Sequence, residues 1–317
     1  MKDAKPAAAV NVNKRPLSMR IRSNWQLYLF LILPLAYLLI FCYYPMTGLQ
    51  LAFKKFQANL GIWGSPWIGF DNFEKFFSSY MFGRVLKNTL VLSIYSLIAG
   101  FPLPIILALI LNSLRSEKYK KFAQTVTYLP YFISVVVLVG ILNQVLNPRI
   151  GLVANLLSLV GYHDMPNLIG SPGAFPHLYV WSGVWQSMGY NSIIYIAALA
   201  STDPELHEAA QIDGASRFQR VLHIDLPTIL PTASILLIMN AGRIMTVGFE
   251  KVYLMQNTMN TTVSEVISTY VYKVSLASTI PDFSYGTTID LFNSVINLIL
   301  IVSVNFLSKR VGGSSLF

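Results

Sequence analysis

Side chains able to hold a polar solute recur at helical spacing inside stretches that are otherwise apolar. In one stretch Ser182, Gln186 and Gly189 share a helical face, and Trp181 with Trp185 occupies an adjacent one. An amide and a hydroxyl thus stand beside flat rings suited to stacking on a sugar. Farther along, Asn240 and Arg243 lie one turn apart, and Asp290, Asn293 and Asn297 repeat at helical spacing. A polar group in a membrane-buried helix is costly to show to lipid, so it turns toward a cavity or a neighbouring helix. For Ser182, Gln186, Asn293 and Asn297 the plain alternative is an interhelical hydrogen bond, worth roughly 0.6 to 2 kcal/mol. Arg243 is the stronger case, because a guanidinium in lipid costs roughly 2.5 kcal/mol or more. It is expected to line a wet path or to pair with an acid, and a cationic lining would suit an acidic oligosaccharide.

Other chemistries find little support. His163, His177, His207 and His223 are scattered without metal-ligand spacing. Cys42, the one cysteine, lies in an apolar block and reads as a small packing residue. His207 beside Glu208 is a candidate pair for moving a proton, and a solvated helix explains it more simply. A phosphate-cradling Gly-x-x-x-x-Gly-Lys-Ser/Thr loop is absent, so ATP hydrolysis is not expected of this chain. The net charge of +9 comes with no basic stripe and interleaved aromatics, which argues against a nucleic-acid partner.

The elements that position these residues follow from composition. With 54% hydrophobic and 12% charged residues in 317, the chain is far more apolar than soluble domains, which carry roughly 25% charged residues. The apolar residues arrive in blocks of roughly 20, the length that crosses about 30 Å of hydrocarbon. The expected fold class is all-α integral membrane with about six transmembrane helices, at about 25–45, 88–111, 123–146, 177–200, 231–255 and 289–307. Trp25, Tyr28, Tyr43 and Tyr44 flank the first span, which Pro45 closes. Gly100, Pro102 and Pro104 predict a kink or break in the second, and Pro130 sits in the first turns of the third.

The polar, basic stretch 1–24 precedes an apolar run too long for a signal peptide, so it reads as a cytoplasmic tail, followed by a transmembrane domain at 25–310 and a tail at 311–317. Basic residues retained inside would be Lys2, Lys5, Lys14, Arg15, Arg20, Arg22, Arg115, Lys118, Lys120, Lys121, Arg217, Arg220, Lys309 and Arg310, which places both termini in the cytoplasm. The outer loops, about 46–87, 147–176 and 256–290, are rich in Gly, Pro, Trp and Tyr and could dock an outside partner.

Between the fourth and fifth spans, Thr202 can cap a helix that has Pro204 in its first turn and Glu205 completing a capping box. Gly214 ends that helix with a turn of positive φ. A second short helix, about 215–224, follows, and Pro227 keeps it from running unbroken into the membrane. Leu206, Ile212, Phe218, Val221 and Leu222, with small Ala209 and Ala210, would suit a groove on another protein; the alternative is an amphipathic connector on the inner leaflet.

The string Glu208-Ala209-Ala210, then Gly214, then Ile224-Asp225-Leu226-Pro227 resembles the EAA signature of binding-protein-dependent ABC import permeases, with that family's spacing. Trp67-Ile68-Gly69-Phe70-Asp71-Asn72-Phe73 with Asn88-Thr89 looks like the maltose-type sugar-permease branch. Gly248-Phe249-Glu250, the run 267–272 and the closing 305–317 look like a sub-branch that imports polysaccharide fragments such as aldouronates, with a departure at Lys273-Val274-Ser275.

The resemblance implies the type I ABC importer permease fold in a bacterial cytoplasmic membrane, with 201–227 as a coupling loop that docks in a cytoplasmic ATPase dimer. Glu208, Ala209, Ala210 and Gly214 would be signature residues, and Arg217 and Arg220 candidates for salt bridges to the ATPase. It also implies a second homologous permease subunit and an extracytoplasmic solute-binding protein. ATP and Mg would be held by the partner and no cofactor by this chain. A secondary transporter would instead need two related halves and an intramembrane acid, which the sequence does not show.

Overall fold

The computed structural model describes residues 19 and 23–310. Most of the expected tail 1–24 and all of 311–317 lie outside the described residues. Among those described, the fold is helical, with an isolated bridge between Lys54 and Trp67. The described residues up to Gln50 and those from Leu51 onward form two separately packed units.

From the first unit, α1 (Trp25–Tyr37) enters a π-turn at Leu38–Tyr43 and then the 3-10 stretch Tyr44–Phe53, whose last residues belong to the second unit, so helix persists from Trp25 to Phe53. Pro45 therefore does not close this span. The Tyr44 N–H reaches back five residues to the Leu39 carbonyl, and that wide turn moves aside the carbonyl which the proline ring would otherwise strike.

The second unit begins its long helices with α2 (Tyr80–Gly100) and α3 (Pro102–Asn112), which run together from Tyr80 and so start well before residue 88. Ser79 caps α2 by accepting the Met81 N–H. Phe101 keeps helical dihedrals and its N–H bonds the Leu97 carbonyl, so the expected break at Pro102 is absent. The third expected span, 123–146, is instead a bent pair: α4 (Glu117–Tyr128), a 3-10 turn at Leu129–Phe132, and α5 (Val135–Val145), at 96° to the helix before the break. Pro130 lacks the N–H that would carry the ladder on, and Ser134 restarts it by accepting the Val137 N–H at 3.3 Å.

Next, α6 (Phe175–Leu199) is 25 residues long. Its composition is too polar to mark it as a span by itself, and among the described residues the candidates by length and apolarity number up to five, counting the bent pair. Its polar residues have shelter, because α6 packs against α2, α3 and α4. Gly189 permits the closest approach: any Cβ there would overlap the Thr127 carbonyl of α4.

The chain then forms α7 (Pro204–Ile212), α8 (Arg217–Arg220), a π-turn at Val221–Asp225 and α9 (Leu226–Ala241). From Arg217 to Ala241 the helix is continuous, so Pro227 does not interrupt it. The Leu226 N–H bonds the Val221 carbonyl, the same wide-turn solution as at Pro45. The expected span 231–255 also ends early, at Ala241. A turn separates it from α10 (Phe249–Met255), because Asn297 of α11 (Phe283–Arg310) holds that turn open, accepting the Met245 N–H at 3.1 Å and donating to Thr246 Oγ1 at 3.1 Å. The last helix is longer than the expected 289–307.

Ala108, Tyr195, Leu199, Ile229 and Ala233 pack α3, α6 and α9 together at one end. Toward the other end, Phe76, Met81, Val85, Met245, Ile267, Tyr285 and Ile289 form a second core. The connecting loops there are built structure: Lys54, 2% exposed, donates to the Ile62 and Trp63 carbonyls at 2.9 and 3.1 Å.

Candidate functional site

Two places gather the chemistry. The first is the elbow formed by α7, Gly214 and α8. Pro204 at the first helical position leaves Asp203 at the cap, where its carboxylate accepts the Glu205 N–H at 3.0 Å. Thr202 is thus not the cap; its Oγ1 is buried without a partner among the described residues. The capping box lies one helix later, where Ser216 Oγ accepts the Gln219 N–H at 3.3 Å and Gln219 Oε1 accepts the Ser216 N–H at 2.7 Å.

Gly214 sits at φ +79°, a conformation that side chains disfavour. Around it Glu208, Ala209 and Arg217 are exposed and Ala210 half-buried. Ile212 is 86% exposed and Phe218 74%. Arg220 turns inward: its Nε is buried and, among the described residues, without a hydrogen-bond partner, and it lines a cavity of about 250 Å³ with Ala210, Gln219 and His223. Beneath α7, His207 Nε2 lies 3.2 Å from Asp225 Oδ1, and the same oxygen accepts from Asn112 Nδ2 at 3.4 Å.

The second place is a cavity of about 360 Å³ between the long helices. Ser93 and Ser96 reach it from α2, and Tyr179, Ser187 and Asn191 from α6. Asn240 comes from the end of α9, and Arg243 and Thr246 from the turn beyond it. A neighbouring space of about 310 Å³ shares Asn191 and Asn240 and is walled by Phe101, Tyr190 and Tyr195. Arg243 is not deep in a helix as expected; it follows α9, with its N–H on the Asn240 carbonyl at 3.1 Å. Among the described residues no carboxylate lies within ion-pair distance of it. Among the described residues Ser93 Oγ is buried without a partner. One unpaired cation among hydroxyls and amides can bind an anionic, polyhydroxylated solute.

Of the residues expected along a solute path, the structure brings Asn240 and Arg243 to this cavity. Gln186 Nε2 instead donates to the Ile133 carbonyl at 2.7 Å, at the bend between α4 and α5. Ser182 donates to the Leu178 and Tyr179 carbonyls of its own helix. Trp181 Nε1 donates to the Tyr95 hydroxyl at 2.8 Å, and Trp185 is half-exposed away from the cavity. Asn293 Oδ1 is buried without a partner among the described residues, and Asn297 supports the Met245–Thr246 turn. Ser93, Ser96, Ser187, Asn191 and Thr246 escaped the sequence reading. Helical repetition could have found two pairs, Ser93 with Ser96 and Ser187 with Asn191.

Behind the cavity wall, Lys251 of α10 lies outside the apolar spans and is 8% exposed. It donates to the Tyr179 carbonyl at 2.8 Å, and its Nζ stands 4.9 Å from the Tyr179 ring. Burial pulls its ammonium down to about 8.

Comparison with known proteins adds an independent line. The family model described as "Binding-protein-dependent transport system inner membrane component" matches residues 81–313. Protein LplB of Bacillus subtilis (strain 168) is 41% identical over 297 residues, covering 93% of this chain and 92% of that protein. The polygalacturonan/rhamnogalacturonan transport system permease protein YteP of the same strain is 38% identical over 304 residues, covering 96% and 94%. In the crystal structure of a bacterial ABC transporter involved in the import of the acidic polysaccharide alginate, one chain matches with a TM-score of 0.85 and 41% identity, over 93% of this chain and 98% of that one. A bacterial alginate ABC transporter in complex with alginate pentasaccharide-bound periplasmic protein gives a TM-score of 0.86 and 39% identity, over 95% and 99%.

Proposed function

Because the chain belongs to the family of binding-protein-dependent transport-system inner-membrane components and has the type I ABC importer permease fold, we propose that it forms the path for acidic oligosaccharides in an ATP-driven importer and is driven through residues 201–227. As a transport component it is not itself an enzyme. The observation that carries the reading is the elbow: a positive-φ glycine presents Ile212 and Phe218 almost bare to solvent, beside an exposed Glu208. Large apolar side chains shown this way mark a contact surface for protein or membrane, and the small Ala209 and Ala210 beside them suit a groove on a protein.

The partner at the elbow is a cytoplasmic ATPase dimer, which supplies bound ATP and Mg; this chain takes no cofactor. A second homologous permease completes the path, and an extracytoplasmic solute-binding protein delivers the cargo. Arg115, Lys118, Lys120, Lys121 and Arg217, carried on or beside the ends of α3, α4 and α8, support a cytoplasmic elbow and, with it, cytoplasmic termini. On this reading α6 is the remaining span, its polar groups turned to the path and to neighbouring helices. Closure of the ATPase pair moves the elbow, and its differential contact with the closed form shifts the permease between inward- and outward-open populations.

Two observations support an acidic cargo: the unpaired Arg243 in the cavity, and the acidic polysaccharide that the structurally similar transporter imports. The test is to purify the tagged chain with its partners, reconstitute it with the binding protein, and compare ATP hydrolysis with uronate and neutral oligosaccharides. Stimulation by the uronates is expected. Equal stimulation by neutral sugars would overturn the cargo, and a preparation without any ATPase subunit would overturn the importer reading.

A further inference from the structure

The elbow's polar attachment to the membrane helices is narrow. His207 and Ala210 are the half-buried residues of α7, one turn apart on a single face, while Glu205, Leu206, Glu208, Ala209 and Ile212 are exposed. Among the described residues, the side-chain polar contact between α7 and the helix bundle is His207 Nε2 to Asp225 Oδ1 at 3.2 Å. Asp225 is 3% exposed and is the last residue of the π-turn that leads into α9. Its same oxygen accepts from Asn112 Nδ2 at the end of α3, 3.4 Å away, and the charge of Arg220 acts on it as well. One buried carboxylate oxygen thus ties three separate elements: α7, the start of α9 and the end of α3. A carboxylate suits such a node, because it accepts several donors at once and holds them more tightly than a neutral acceptor does. Wide helical turns are frequent where a helix carries a functional group.

We propose that Asp225 is the joint through which displacement of α7 reaches α3 and α9, so that the His207–Asp225–Asn112 chain sets how much solute moves per ATP hydrolysed. This rests on the reading of the elbow as the ATPase contact. His207 and Asn112 are positioning residues: they face away from the exposed docking surface and lie outside the solute cavity. Without the joint, α7 stays attached to the bundle through its two chain connections and apolar contact alone, and its movement is partly lost as local slack.

The test uses the whole reconstituted complex, measuring ATP hydrolysis and uptake in parallel for wild type, His207→Ala, His207→Gln and Asn112→Ala. His207→Ala should keep its ATPase subunits and hydrolyse ATP at close to the wild-type rate. Its uptake per ATP should fall by at least about fivefold, the low end of measured coupling between sites. His207→Gln retains an N–H donor at similar reach and should restore most of the ratio, whereas Asn112→Ala should lower it. An unchanged ratio in His207→Ala would overturn the proposal. So would loss of bound ATPase in that variant, which would make His207 a docking residue, or failure of His207→Gln to rescue. A wild-type complex that holds no ATPase would sink the importer reading and this joint with it.

Discussion

Gly214 offers the cleanest separation of backbone strain from packing. It holds φ at +79°, and a Cβ built on it meets nothing within 4 Å. Within this chain a substitution therefore costs conformational strain alone. For alanine the left-handed region costs about 1–2 kcal/mol, a factor of about 5–30 in the population that keeps the native turn. Valine, branched at Cβ, is penalised further, whereas asparagine visits this region readily. Uptake in proteoliposomes at saturating binding protein should therefore decline in the order wild type, Asn, Ala, Val, with alanine several-fold down. The amount of inserted protein, measured by quantitative immunoblot, should not change, because the strain is confined to an exposed turn. Gly214→Asn losing as much uptake as Gly214→Val would refute strain as the cause, since within this chain side-chain bulk has nothing there to strike.

Other expectations follow from single contacts. Gly189→Ala forces α6 away from the Thr127 carbonyl; overpacking of this kind costs about 1–3 kcal/mol, and a lower melting temperature in detergent should show it, an unchanged one contradicting the close packing. Arg243→Gln removes an unpaired cation from the cavity. A charge-assisted hydrogen bond of roughly 1.5–3 kcal/mol corresponds to about a 10- to 150-fold weaker half-saturation for uronate cargo, with neutral cargo unaffected. Lys251 has its ammonium drawn from 10.5 to about 8 by burial. Between those values the unfolded chain binds more protons than the folded one, so the stability from this group rises as pH climbs from about 8 toward 10. Lys251→Met should flatten that rise in a melting series.

What the sequence disclosed and what it hid divide along physical lines. The elbow was legible because its features are local: Gly214 carries its own conformational signature, and Glu208-Ala209-Ala210 with Ile224 to Pro227 form a spaced string. The cap was misplaced by one residue because Pro204 fixes the first helical position and hands the role to Asp203. Prolines misled in a consistent way. Pro45 and Pro227 show a ring and a missing N–H in the sequence, but not the π-turns at Leu38–Tyr43 and Val221–Asp225 that make room for them. At Pro130 α4 gives way to a 3-10 turn that ends at Phe132, and after the 96° bend that follows the Ile133 carbonyl accepts from Gln186, so a residue expected in the path became a helix tie. The cavity was the least visible part. Ser187, for example, donates within its own helix to the Gly183 carbonyl at 2.8 Å, as any helical serine does. Only the convergence of α2, α6 and the turn after α9 makes such hydroxyls a shared lining.

The claim on which most depends is that the elbow is held by a separate ATP-hydrolysing protein on the cytoplasmic side. A photoreactive side chain placed at Ile212 or Phe218, irradiated in intact native membranes, tests it directly. The account requires adducts with a subunit that carries a phosphate-binding loop, formed only with probes that reach the cytoplasmic face. Adducts with lipid alone, or labelling from outside the cell, would contradict it.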